Sequence, residues 1–195
     1  MFTKNGNILK VNGNWLNPHV EPEPPAPVFE EVTIGTQTWL AKNLAIDDGQ
    51  GGITIVDNVT ANGVNFGTQY YYTWDAAIRV ANSIEGWHLP TDNEWLRLAS
   101  AVGGSSVAGT KLKSTTGWNN GSNGDDSYGF TGLPVGGLYS VEVQLVGSYA
   151  FFWTATKYQY SSGLATLRYL STDTEMHFDN EYKSNGYSIR LIKDT

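Results

Sequence analysis

The sequence predicts an α+β fold, with two helices set among short antiparallel β-strands. Three observations carry that expectation. Two stretches repeat apolar residues at helical spacing behind an N-cap signal, the rest alternates in short runs, and 22 glycines stand against 7 prolines. With 40% apolar and 13% aromatic residues, the 195-residue chain can fill the core of one ordinary domain carrying a short appendage.

Taken in order, residues 1–17 read as a β-hairpin. Apolar runs at 8–11 and 15–16 flank Asn12, Gly13 and Asn14, and Asn-Gly is a strong hairpin signal. A ribbon so small needs a surface to lie on, which predicts an attachment element. Residues 18–28 hold five prolines between Pro18 and Pro27, and read either as an extended spacer or as a plain leader. The main domain is expected over 29–195.

Within it, Val32, Ile34, Thr36 and Thr38 alternate across Gly35, giving strand, turn and strand into Trp39 and Leu40. Thr73 caps a helix over 74–81 that places Trp74, Ala77, Ile78 and Ala81 on one face. A second helix starts at Thr91, buries Trp95, Leu98, Ala99 and Val102, and stops at Gly103 and Gly104. After it only short strands and turns are expected, among them a buried strand at 151–153 and an alternating closing strand at 187–192.

The stretch "GWHLPTDNEW" (86–95) packs His88, Asp92 and Glu94 between two tryptophans and has the outline of an acid–base cluster. Local helix chemistry accounts for it better. Thr91 and Glu94 form the Thr-x-x-Glu capping box, Asp92 suits the helix dipole, and His88 is expected as a satisfied, partly buried imidazole. No catalytic residue is therefore expected. Zero cysteines exclude disulfides, thiolate metal sites and cysteine nucleophiles. The three histidines, His19, His88 and His177, lie far apart, so no zinc site is expected.

In the loop 118–129, Asn119, Asn123, Asp125 and Asp126 are weak calcium candidates without the EF-hand spacing; a plain turn-rich loop is the favoured reading. No cofactor is expected, calcium being the one ion the loop could take. The phosphate-binding glycine motifs and Gly-x-Ser-x-Gly are missing. A net charge of -7 argues against nucleic acid. No apolar run approaches the roughly 18 residues of a membrane span, and no apolar signal region follows Met1.

The C-terminal part differs in palette. Between Tyr158 and Ser188 lie five of the eleven tyrosines, interleaved with serine, glycine and asparagine. Adaptable binding surfaces use that mixture, and so does the solvent face of an exposed β-meander.

Seven segments in this order, "VTIGTQTWLAKNL", "YYYTWDAAIRVAN", "GWHLPTDNEWLRL", "AGTKLKSTTGWN", "DDSYGFTGLPVGG", "FFWTATKY" and "SNGYSIRLIKD", resemble the Fibrobacter succinogenes major paralogous domain from about residue 30 to 194. The resemblance implies a C-type lectin-like fold of the formylglycine-generating-enzyme branch, α+β with two helices. It implies no formylglycine-type catalysis, because that chemistry uses cysteines. It also implies ligand display, since similar domains are variable proteins of diversity-generating retroelements, in phage tips and on bacterial surfaces. The segment matching the variable face then offers Tyr158, Tyr160, Ser161, Ser162, Ala165, Leu167, Tyr169, Ser171, Asp173, His177, Asp179, Asn180 and Tyr182 as ligand-binding residues. The expected partners are a host-surface protein or glycan, a larger particle or subunit docked through the hairpin, and other copies of the chain in a homo-oligomer. The expected location is a phage virion or the bacterial cell surface. A calcium-dependent carbohydrate-binding module is the alternative.

Overall fold

The computed structural model describes residues 27–195 and, before them, two short strands, β1 (Lys10–Val11) and β2 (Asn14–Trp15), paired antiparallel. The rest of the expected hairpin and most of the proline segment lie outside the described residues. The main body is α+β, as expected. Its strands are β3 (Glu31–Ile34), β4 (Gln37–Leu40), β5 (Ile53–Val56), β6 (Thr60–Ala61), β7 (Val64–Asn65) and β8 (Gln69–Tyr72), then β9 (Trp87–His88), β10 (Gly137–Tyr139) and β11 (Glu142–Gln144). Last come β12 (Ala150–Lys157), β13 (Leu164–Leu170), β14 (Met176–Tyr182) and β15 (Ile192–Lys193). Helices α1 (Trp74–Asn82), α2 (Asp92–Ala101) and α3 (Ser105–Leu112) complete the described residues, and none is long and apolar enough to cross a membrane.

Both expected helices form for the expected local reasons. The Thr73 hydroxyl accepts from the Ala76 N–H, and Thr91 and Glu94 cap each other reciprocally. The third helix corrects the expectation of two. Gly104 gives α3 no side-chain cap, and Gly109 sits in its middle, so propensity alone does not specify it. Tertiary contact does. A Cβ on Gly109 would lie 2.5 Å from the Glu175 carbonyl oxygen, and the Thr110 N–H donates to the Thr174 carbonyl (3.3 Å). Glycine lets α3 press against the turn between β13 and β14.

The largest sheet joins β3, β4, β15 and β9 in that order, so the C-terminal strand is pinned between elements from the first half of the domain. The second sheet, β12–β13–β14, stands between two apolar clusters. Phe151 and Trp153 of β12 join one cluster with Trp74, Trp87 and Ile189. Their neighbours Ala150 and Phe152 join the other with Trp39, Trp95 and Leu98. A strand buried on both faces reads as a continuous apolar run, which "FFW" is. In the second cluster Trp95 lies 4.9 Å from Trp39 and 5.3 Å from Phe152. Each such pair adds roughly 0.5–1.5 kcal/mol beyond its buried area.

The closing strand also differs from expectation. Instead of alternating, 187–192 is buried throughout: Tyr187 bridges Tyr72, Ser188 bridges Phe152, the Leu191 carbonyl accepts from the Leu40 N–H of β4, and Ile192 pairs with β4 and β9. Within it, fully buried Arg190 donates to Asn43 Oδ1 (2.9 Å) and to the carbonyls of Leu40, Phe130 and Thr131 (3.0, 2.6 and 2.9 Å). Its guanidinium lies 4.3 Å from the Phe130 ring. Burial pushes its pKa down to about 9, so it stays a cation at neutral pH.

Candidate ligand-binding face

β14 is an edge strand of the three-stranded sheet, paired to β13 from Leu164 opposite Tyr182 to Leu170 opposite Met176. Side chains along a strand alternate between faces. Met176, Phe178, Asn180 and Tyr182 therefore share the face turned to α2, and His177, Asp179 and Glu181 share the other.

On the α2 side lies a pocket of about 330 Å³, lined by Asp92, Thr156, Tyr158, Thr166, Phe178 and Asn180 among others. Its floor is fixed by an ion pair. Arg168, only 5% exposed, donates from Nε to Asp92 Oδ1 (2.6 Å) and from a terminal nitrogen to Oδ2 (2.8 Å). Such a two-pronged contact sets both planes. The Asp92 N–H in turn donates to the Thr156 hydroxyl (3.0 Å), which ties α2 to β12. Above the guanidinium, 5.3 Å away, sits the Phe178 ring. That ring is 62% exposed, and Tyr182 continues the same strand face at 66%. The Thr166 hydroxyl donates to Asn180 Oδ1 (2.9 Å), orienting the amide across the strands.

The thirteen expected binding residues do not form one surface. Tyr158 lines the pocket and packs edge-on against Tyr160 (5.4 Å), which is 77% exposed; Ser161 and Ser162 lie in the same open turn. Asn180 and Tyr182 share that side. Tyr169, Asp173, His177 and Asp179 belong to the opposite one, where the His177 ring stacks on Tyr169 (4.9 Å) and its Nε2 lies 2.8 Å from Asp173. Three residues leave the set. Ala165 and Leu167 point into the core beside Trp153, and Ser171 is buried where its carbonyl accepts from the Lys113 ammonium (3.0 Å). A side chain packed there cannot touch a partner. Phe178, Thr156, Thr166 and the Asp92–Arg168 pair were missed by sequence. Phe178 left a readable signal, as the lone large apolar residue within "HFDNEY"; the others did not.

The calcium candidates do not converge either. Asn119 Oδ1 accepts from Asn62, Asn123 Oδ1 from the Trp118 N–H, Asp125 pairs with Lys111 (2.6 Å), and Asp126 caps Thr131. The Lys111 ammonium beside it holds the Asp125 carboxyl down to about 2, so it is a charged but already paired group. Among the described residues no group of three or more His, Cys, Asp or Glu side chains could hold a metal ion. His88 lies between two carboxylates, with Nδ1 2.6 Å from Asp194 and Nε2 3.1 Å from Glu94, while Glu94 Oε2 still accepts from the Thr91 N–H (2.7 Å). The capping box is intact and its histidine satisfied, as the local chemistry predicts.

No curated protein and no solved structure matches the chain. Residues 32–193, nearly the whole main body with both faces of β14, match the description Fibrobacter succinogenes major domain (Fib_succ_major). The chain belongs to the Fibrobacter succinogenes major domain family.

Proposed function

We propose that this chain is a non-enzymatic binding protein that presents the α2-side face of β14, with the turn after β12, to a macromolecular partner. One observation carries the reading: Phe178 and Tyr182 on the edge strand β14 and Tyr160 in the turn after β12 all stay exposed, and Phe178 borders a pocket also lined by Asp92, which Arg168 holds in place. Exposed aromatics on a rigid support are what interface hot spots are made of. The resemblance to C-type lectin-like variable proteins of diversity-generating retroelements supports the same reading. In that reading the segment between "FFWTATK" and "SIRLIKD" is the diversified stretch, the surface built by 158–184 contacts a host-surface protein or glycan, and the N-terminal hairpin seats the chain on a phage particle or bacterial surface. Oligomers of the chain would add avidity.

The test is binding of the fluorescently labelled 195-residue protein to a panel of bacterial cells. The triple variant Tyr160→Ala, Phe178→Ala, Tyr182→Ala should lose binding while keeping its melting temperature, and Ile55→Ala, exposed elsewhere, should not. Undiminished binding by the triple variant would overturn the proposal.

A further inference from the structure

The other face of β14 has a chemistry of its own. His177 stacks on Tyr169, Tyr169 lies 5.8 Å from Tyr149, and Tyr149 stacks flat on Phe151 (5.1 Å, 2° between planes). Tyr139 of β10 joins through Tyr187 (5.9 Å). Tyr139, Tyr149, Tyr169 and His177 are each only partly buried, so a continuous aromatic array reaches solvent along this rim.

Two carboxylates stand beside it. Burial first, and then the negative charge of Asp179, hold the Tyr169 phenol above its usual pKa; burial with Glu181 and Asp179 does the same to Tyr139. Among the described residues neither acid has an ion-pair partner. Asp179 accepts from the Asn180 N–H, and Glu181 from the Asn185 amide. The nearest lysine or arginine in sequence, Lys183, is committed elsewhere, donating to the Ser162 carbonyl (2.7 Å) over the Trp74 ring (4.5 Å), and His177 is paired with Asp173 (2.8 Å).

Ring faces are negative, and two uncompensated carboxylates beside them add to that field. An anionic ligand is repelled by both. A neutral sugar would use the rings and leave the charges unanswered. A cation uses both at once, and the chain's net charge of -7 draws it in. We propose that this rim recognises a protein partner through an arginine or lysine side chain, laid over Tyr169 and Tyr149 with its charge against Asp179 and Glu181. The inference rests on reading β14 as a ligand-presenting strand, but it uses the face opposite the Phe178 pocket.

The test follows tyrosine and histidine ring resonances of the full chain by NMR during titration with three probes: N-acetyl-arginine methylamide, its neutral analogue N-acetyl-citrulline methylamide, and methyl glucoside. Arginine should shift the Tyr139, Tyr149, Tyr169 and His177 signals saturably, and citrulline several-fold less. Asp179→Asn with Glu181→Gln should weaken the arginine response. Asp57→Asn with Glu85→Gln, which removes equal charge at a distance, should not. Equal weakening by both pairs means general attraction to an acidic protein and overturns the proposal. So does a sugar response stronger than that to arginine, which makes the rim a carbohydrate surface. If the acidic pair unfolds, Tyr169→Leu serves in its place, with the same expected loss. Should arginine fail here while the Tyr160, Phe178 and Tyr182 substitutions still abolish cell binding, only this inference falls. Cell binding that survives those substitutions removes the proposed function instead.

Discussion

His88 Nδ1 lies 2.6 Å from Asp194 Oδ1, so the imidazole of β9 ties the capping box of the second helix to the segment after β15. Its other nitrogen reaches Glu94 of the capping box. Burial pulls the His88 pKa down, but the hydrogen bonds to Asp194 and Glu94 outweigh it and leave the value above 6.5. Burial likewise raises Glu94, and its bonds to Thr91 and His88 outweigh that and leave it below 4.5. The signs are opposite in pH. A raised histidine stabilises fully below its unfolded value and loses that contribution as pH rises through the folded one; a lowered carboxylate stabilises above its unfolded value and loses it on acidification. The cluster therefore contributes most between about pH 4.5 and 6.5. His88→Gln should flatten the fall in melting temperature between pH 6 and 8, and parallel profiles for the two proteins would refute this.

Glycine at 109 sets two effects against each other. Replacing it with alanine inside α3 gains up to about 1 kcal/mol of helix propensity. The new methyl, however, meets main-chain atoms, 2.5 Å from the Glu175 oxygen and 2.7 Å from the Thr174 carbonyl carbon, and main chain cannot swing aside. Overpacking of that kind costs about 1–3 kcal/mol. Gly109→Ala should thus lower stability in urea unfolding, and a stabilised variant would show that α3 is held by propensity alone.

Arg190 satisfies one side-chain oxygen and three carbonyls from two separate segments, 40–43 and 130–131, with no carboxylate in the set. Lysine keeps the charge but cannot span those acceptors with one ammonium. Each buried acceptor left unpaired costs about 1–3 kcal/mol. Arg190→Lys should accordingly destabilise by about 3 kcal/mol or more in chemical denaturation, a loss too large for a surface charge change. A cost under about 1 kcal/mol would mean that the carbonyls find water.

How much of this was readable depended on how far each cause reaches along the chain. Thr73 and the Thr91–Glu94 pair act within one helical turn, so both helices were legible. The third was not, because its reason is a contact between Gly109 and Thr174, sixty-odd residues away. Composition marked 158–188 as unusual but could not phase the strands. A one-residue shift exchanges the faces, which is why Ala165 and Leu167 belonged to the core while Phe178 was passed over. Asp92 was legible as a helix-dipole residue, and its partner Arg168 was visible only once the sheet had brought them together.

That last pair offers the sharpest test of the candidate site. If the fork between Arg168 and Asp92 holds the pocket floor, the two side chains must be coupled energetically rather than merely adjacent. Arg168→Gln, Asp92→Asn and the double variant form a cycle that isolates the pairwise contribution. Asp92 is partly open to solvent, with its side chain 26% exposed, so the coupling should be moderate, about 1–2 kcal/mol. Either single change should also free the Phe178 ring and weaken cell binding, although neither residue is an exposed contact. A coupling near zero with binding intact would reduce the pair to a surface ornament and leave Phe178 anchored by packing alone.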